Sequence, residues 1–135
     1  MLPDDRPAQH VEAVEKYKLK YFGGFRQAEG LQPKGRISFG SNSGHQAIHM
    51  AYHLGATRIV LLGYDFKSSG SGTGQHFFGE HPEPLKTGHD YKRWLASMQI
   101  LANDLNAAGV EVINCTRDTA ITCFPRAHIA EIYPD

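Results

Sequence analysis

The residues best suited to chemistry fall in three short stretches: the turn Gly40-Ser41-Asn42-Ser43-Gly44, the acid Asp65, and a loop carrying His76, Glu80 and His81. The turn puts small and hydroxyl-bearing residues where backbone N–H groups would open a helix. Unpaired amides there carry about half a positive charge, so a phosphate or carboxylate is the expected ligand. The spacing is neither GxGxxG nor GxxxxGK[ST], and plain capping by Ser41, Asn42 or Ser43 is the alternative role. Asp65 stands just past an apolar run, where an acid meets a ribose hydroxyl, a metal or an attacking group; capping its own turn is the simpler reading. Imidazole is a natural acid, base or phosphate partner near neutral pH, so His76 and His81 suit a general base or a phosphate contact. His76, Glu80 and His81 could join Asp65 around a divalent ion, but HxxxEH on a loop matches no zinc pattern closely, so no metal ligand is assigned; a surface loop with ordinary histidines is the simpler alternative. The cofactor is left open, with Mg²⁺ at Asp65 as one option.

Elements that would position these residues follow from changes of period. Residues 36–66 read as a strand at Ile37 to Phe39, the turn, an amphipathic helix, a break at Gly55, and the buried strand 59–62. That is a right-handed βαβ unit with its polar groups at the carboxyl ends of the strands, where open α/β sheets bind ligands. Gly44, Ala47, Ile48, Ala51 and Leu54 form the expected inward face of the helix. His45, His49 and His53 then lie nearly opposite, as a solvent or subunit-contact stripe able to hold adventitious Zn or Ni. A second helix is expected from an N-cap at Asp90 through Tyr91, Trp94 or Leu95, Met98, Leu101 and Leu105 to Gly109. Val110 to Ile113 follows as a strand, alternating as a less central one would. Asn114 and Thr116 end it beside the same crevice and join the expected ligand contacts. Trp94 is read as packing the second helix, with stacking on a ligand left open by its place near the lid.

Residues 10–22 carry a further helical pattern and 25–35 read as linker, so 1–35 is an N-terminal helix and linker. Residues 67–89, with the flexible run 68–74, form a lid-like loop able to deliver His76 or His81. A short helix is expected within 126–132. The sum is one Rossmann-like α/β domain over 1–135, a three-layer sandwich around a short parallel βαβαβ sheet. So few strands leave two edges to cover, which argues for a homo-oligomer or for a truncated form of a larger doubly wound domain.

Composition narrows the partners. Fourteen basic and fourteen acidic side chains cancel, with no basic stripe, so neither nucleic acid nor an anionic membrane is expected. No apolar run approaches the roughly 18 residues of a membrane span, and no secretory pattern opens the chain. Cys115 and Cys123 lack CxxC spacing and read as reduced thiols in or near the core, which places the protein in the cytoplasm.

Five stretches together carry a resemblance: GSNSGHQAIHMAYHLGATRIVLLGYDF, HFFGEHP, YKRWLASMQILANDL, GVEVINCT and TAITCFPR. Over roughly residues 36–126 the chain resembles a family of small phage and prophage proteins of uncharacterised function, some described only as morphogenesis-related. That family is similar to a Rossmann-like group containing archaeal 6-hydroxymethylpterin diphosphokinase and, more remotely, sialyltransferases of glycosyltransferase family 42. The resemblance implies roles for Asn42, Ser43, Gly44 and Gln46 at the turn and helix start, and for Gly63 and Asp65 at the strand end. It implies the same for His76, Gly79, His81 and Pro82 in the lid, and for Asn114, Thr116 and Pro125 at the last strand and tail. Members of the wider group begin with another strand and a GxGPS-type turn; MLPDDRP starts past that point. The missing half is then absent, or supplied by a partner or another copy.

Two functions follow as expectations. One is a non-catalytic binder that sequesters a nucleotide or nucleotide-derived molecule in the host cytoplasm. The other is a transferase acting on a nucleotide or nucleotide-sugar, with His76 or His81 as general base and Asp65 at the ribose or Mg²⁺. A phage-assembly role is a third.

Overall fold

The computed structural model describes residues 16, 25–26, 30–33, 36–38, 40, 42–67 and 90–134. Its elements are β1 (Phe25–Arg26), β2 (Ile37–Ser38), α1 (Ser43–His53), β3 (Arg58–Leu61), α2 (Tyr91–Ala107), β4 (Glu111–Asn114) and α3 (Ile129–Ile132). The helix expected over 10–22, apart from Lys16, and the lid-like 68–89 lie outside the described residues.

The two long helices start and stop where side-chain chemistry allows. Asn42 caps α1, its Oδ1 accepting from the His45 N–H at 2.8 Å, and Asp90 caps α2 through the Arg93 N–H at 3.0 Å. Each satisfies one of the amides a helix start leaves unpaired. Both helices end on a glycine in the left-handed region, Gly55 at φ 93° and Gly109 at φ 73°. The next N–H returns to a carbonyl five residues back: Ala56 to Ala51 at 3.0 Å, and Val110 to Leu105 at 2.9 Å. Only glycine takes that φ without a steric penalty, so both stops were legible as Gly.

The fold is mixed α/β with short parallel pairing. β3 and β4 run parallel, in register from Arg58↔Glu111 to Leu61↔Asn114, joined by a connection that contains α2. Ile59, Leu61 and Val112 from this pair close on Ile48 of α1 and on Met98, Leu101 and Leu105 of α2, with Ile121 and Phe124 behind. Fully burying a side chain of this size contributes about 2 kcal/mol, so these few residues supply most of the core's stability. Arg58 and Glu111 pair across the exposed ends of the strands, a contact worth less than about 1 kcal/mol.

Three expectations change. The single three-stranded sheet is not seen among the described residues: β2 pairs with β1, and β3 with β4. β2 is tied to α1 instead, with the Ser38 hydroxyl 3.1 Å from His49 Nδ1 and the neighbouring Arg36 carbonyl 2.7 Å from His53 Nε2. Phe25–Arg26, read as linker, is a strand because it finds β2 as a parallel partner. β4 is not edge-like either. Residues 112–116 are all buried, because the tail returns alongside and the Asn114 N–H donates to the Pro125 carbonyl at 2.8 Å.

The histidine stripe is also inverted. His45 and His49 are 0 % exposed, while Leu54 is 59 % exposed and Ala47 faces solvent. His49 explains its own burial: Nε2 accepts from the Gln32 N–H at 3.1 Å, and Nδ1 faces both the Ser38 N–H at 3.3 Å and the Ser38 hydroxyl at 3.1 Å. His49 thereby satisfies a backbone donor that an apolar side chain would strand. His45 packs on the turn instead. A Cβ on Gly40 (φ 56°) would sit 2.1 Å from its Nδ1, so only glycine fits there. Among the described residues, neither ring nitrogen of His45 has a hydrogen-bond partner.

Candidate functional site

A cleft of about 620 Å³ opens at the carboxyl end of β3, between the starts of α1 and α2. Three sides meet there. Asn42, Ser43 and Gly44 come from the opening of α1; residues Gly63 to Lys67 follow β3; Tyr91 and Trp94 come from the first turn of α2. Asn42, Ser43, Gly44 and Asp65, expected to act together, therefore share one cleft.

Residues 63–67 are held in an unusual shape. Gly63 has φ 72° and Phe66 has φ 51°, the only non-glycine positive φ among the described residues. For a bulky residue that region is disfavoured by about 1–2 kcal/mol, so neighbouring contacts must hold it. The Tyr64 N–H donates to Thr116 Oγ1 at 2.9 Å, the Thr119 hydroxyl donates to the Tyr64 carbonyl, and the Ala120 N–H donates to the Asp65 carbonyl at 2.8 Å. Lys67 pairs with Asp118. The segment after β3 is thus fastened along its length to the segment after β4.

This places Asn114 and Thr116 differently from the sequence reading. They are 0 % and 5 % exposed. Asn114 Oδ1 accepts from the Thr116 N–H at 3.0 Å and Thr116 Oγ1 holds Tyr64, so both brace the loop from beneath and neither is among the described cleft residues. Gln46 lies half-buried on α1 and likewise does not line the cleft. Ser41, His76 and His81, with Gly79, Glu80 and Pro82, lie outside the described residues. Among the described residues no group of three or more His, Cys, Asp or Glu side chains could hold a metal.

Aromatic residues form the wall that sequence reasoning missed. Tyr64 and Phe66 are parallel, 6.1 Å apart and 7° from coplanar; Phe66 meets Trp94 edge-on at 6.0 Å; Trp94 meets Tyr91 edge-on at 5.3 Å. Tyr64 also reaches the helix start, its hydroxyl donating to the Gly44 carbonyl at 3.1 Å. A Cβ on Gly44 would lie 2.9 Å from the Tyr64 ring, so the missing side chain is what admits the tyrosine. Burial pushes the Tyr64 phenol up from its usual range, which keeps it a neutral donor. The available signals were the aromatic residues flanking Asp65 in Tyr64-Asp65-Phe66 and the i, i+3 pair Tyr91 and Trp94.

A second cavity, about 490 Å³, lies at the other end of β4, against Asn103, Asn106, Val110, Cys123 and Phe124. Burial pushes the Cys123 thiol up to about 11, far from a nucleophilic thiolate. Glu111 at its rim is engaged by Arg58. The cleft at β3 is therefore the better candidate. No helix of the described residues is long and apolar enough to cross a membrane. The chain matches no protein-family model, no curated protein and no solved structure.

Proposed function

We propose that the protein binds a nucleotide or nucleotide-derived small molecule in the cleft beyond β3. One observation carries this reading: an aromatic wall, the start of an eleven-residue helix and Asp65 line the same cleft. A planar base suits the first, a phosphate the second, and a ribose hydroxyl the carboxylate. The β3–α2–β4 crossover with its cleft at the carboxyl ends supports a Rossmann-like arrangement. Ring stacking, a phosphate contact and a hydroxyl contact are all binding interactions, so binding, including sequestration of the ligand unchanged, is the function these residues support best.

Thermal unfolding against nucleoside monophosphates, nucleotide-sugars and cyclic dinucleotides, with and without Mg²⁺, tests this reading. A ligand at 100 times its Kd adds about 2.7 kcal/mol, several degrees in a domain of this size. A shift for at least one such compound is expected, and chromatography of the recovered ligand should find it unaltered. No shift across the panel would reject the proposal.

A further inference from the structure

We infer that Phe66 determines specificity in this cleft, by stacking on a planar heteroaromatic ring whose anionic group lies at the opening of α1. The inference rests on the nucleotide reading and adds which residue reads the ring and which end of the cleft takes the charge.

The argument begins with the backbone. Gly63, three positions earlier, takes φ 72° without strain. At Phe66 the chain keeps a large aromatic ring at φ 51°, where glycine would cost nothing. Strained positions of this kind persist where surrounding contacts over-determine them, and they gather at ligand sites. Here the contacts are the Thr116 and Thr119 bonds to Tyr64 and the Ala120 bond to the Asp65 carbonyl.

The ring packs on one side against the core. Phe66 has Tyr64 parallel to it and Trp94 edge-on. A third flat ring would extend the parallel pair, in the offset geometry that aromatic quadrupoles favour. The polarity of the cleft then fixes the orientation. The path from Trp94 through Phe66 and Tyr64 ends at Gly44, where the Tyr64 hydroxyl meets the Gly44 carbonyl beside the α1 amides. An anion is stabilised at that end and a flat, uncharged ring at the other.

Calorimetric titration with the four ribonucleoside monophosphates, and with ribose 5-phosphate as the probe lacking a base, tests the assignment. At least one nucleotide should bind ten or more times tighter than ribose 5-phosphate. Phe66→Leu, close in volume but without a π face, should bring that ratio near one while leaving the ribose 5-phosphate affinity unchanged; Phe66→Tyr should preserve the ratio. Trp94, the only tryptophan, supplies a readout that needs no variant. The favoured nucleotide should change its emission, and ribose 5-phosphate should not. A ratio that survives Phe66→Leu, or a nucleotide that binds without altering Trp94 emission, would overturn the inference and leave the nucleotide reading intact. Failure of every probe to bind the unaltered protein would overturn the inference, and only the absence of a shift across the whole thermal-unfolding panel would reject the nucleotide reading as well.

Discussion

At the scale of single residues, the buried histidines carry the clearest consequence. Desolvation holds His45 at about 4, and desolvation with repulsion from His53 and His45 holds His49 at about 4 as well, partly offset by the Gln32 contact and by Asp104. The unfolded chain returns both to about 6.5. Between those values the unfolded state binds more protons, so stability falls as pH drops from about 6.5 to about 4 and is flat above about 7. Each histidine can contribute up to about 3 kcal/mol to that loss. Urea denaturation at pH 7.5 and pH 5.0 should show a marked decrease, and His45→Leu should lessen it without harming stability at pH 7.5, since no hydrogen bond of the ring is lost. Equal pH dependence in the variant would refute the assignment. Asp65 is a separate case: its side chain is exposed in the cleft. Asp65→Asn should weaken binding of the nucleotide found by thermal shift at least tenfold, about 1.4 kcal/mol, and calorimetric affinities equal to the unaltered protein's would exclude it from the site.

Among elements, the fastening of residues 63–67 to 114–120 matters most. Thr116→Val keeps the shape of the side chain but removes the acceptor for the Tyr64 N–H. A buried donor left unpaired costs about 1–3 kcal/mol, and the freed loop should also lose affinity for a ligand that Thr116 never touches. Chemical denaturation and titration calorimetry on one variant measure both effects; a loss of stability with full affinity would show that the brace does not shape the cleft. Gly44 acts from the other side. Gly44→Ala should raise intrinsic helix propensity by up to about 1 kcal/mol, yet it sets a methyl 2.9 Å from the Tyr64 ring. Ligand binding is therefore expected to suffer even where melting temperature does not, and unchanged affinity would mean that Tyr64 can yield without consequence.

The whole molecule adds the question of edges. Each described sheet has two strands, β1 with β2 and β3 with β4, and a two-stranded unit relies on its surroundings for stability. A homo-oligomer remains the expectation. Sedimentation velocity should return a mass above that of the 15.0 kDa chain, whereas a monomer at micromolar concentration would remove this proposal.

The comparison of pattern with fold follows physical lines. Helix ends were legible because Asp90, Gly55 and Gly109 act on amides and carbonyls within a few residues of themselves. The place of the cleft was legible for a similar reason, since a turn, a helix start and an acid after a strand are local signals. The inward face of α1 was not. Histidine is apolar enough to bury and polar enough to expose, and the amide that decides the matter for His49 belongs to Gln32, seventeen residues earlier. Nor was the role of Thr116, whose partner Tyr64 stands fifty-two residues away. The aromatic wall joins Phe66 to Trp94 across a gap that no periodicity spans. Sequence alone thus determined the two long helices, the strands β3 and β4, and the end of β3 at which the cleft opens, because those depend on neighbours along the chain. Only the tertiary structure decided which side chains line the cleft and which brace it, because burial and long-range hydrogen bonds exist only once distant segments meet.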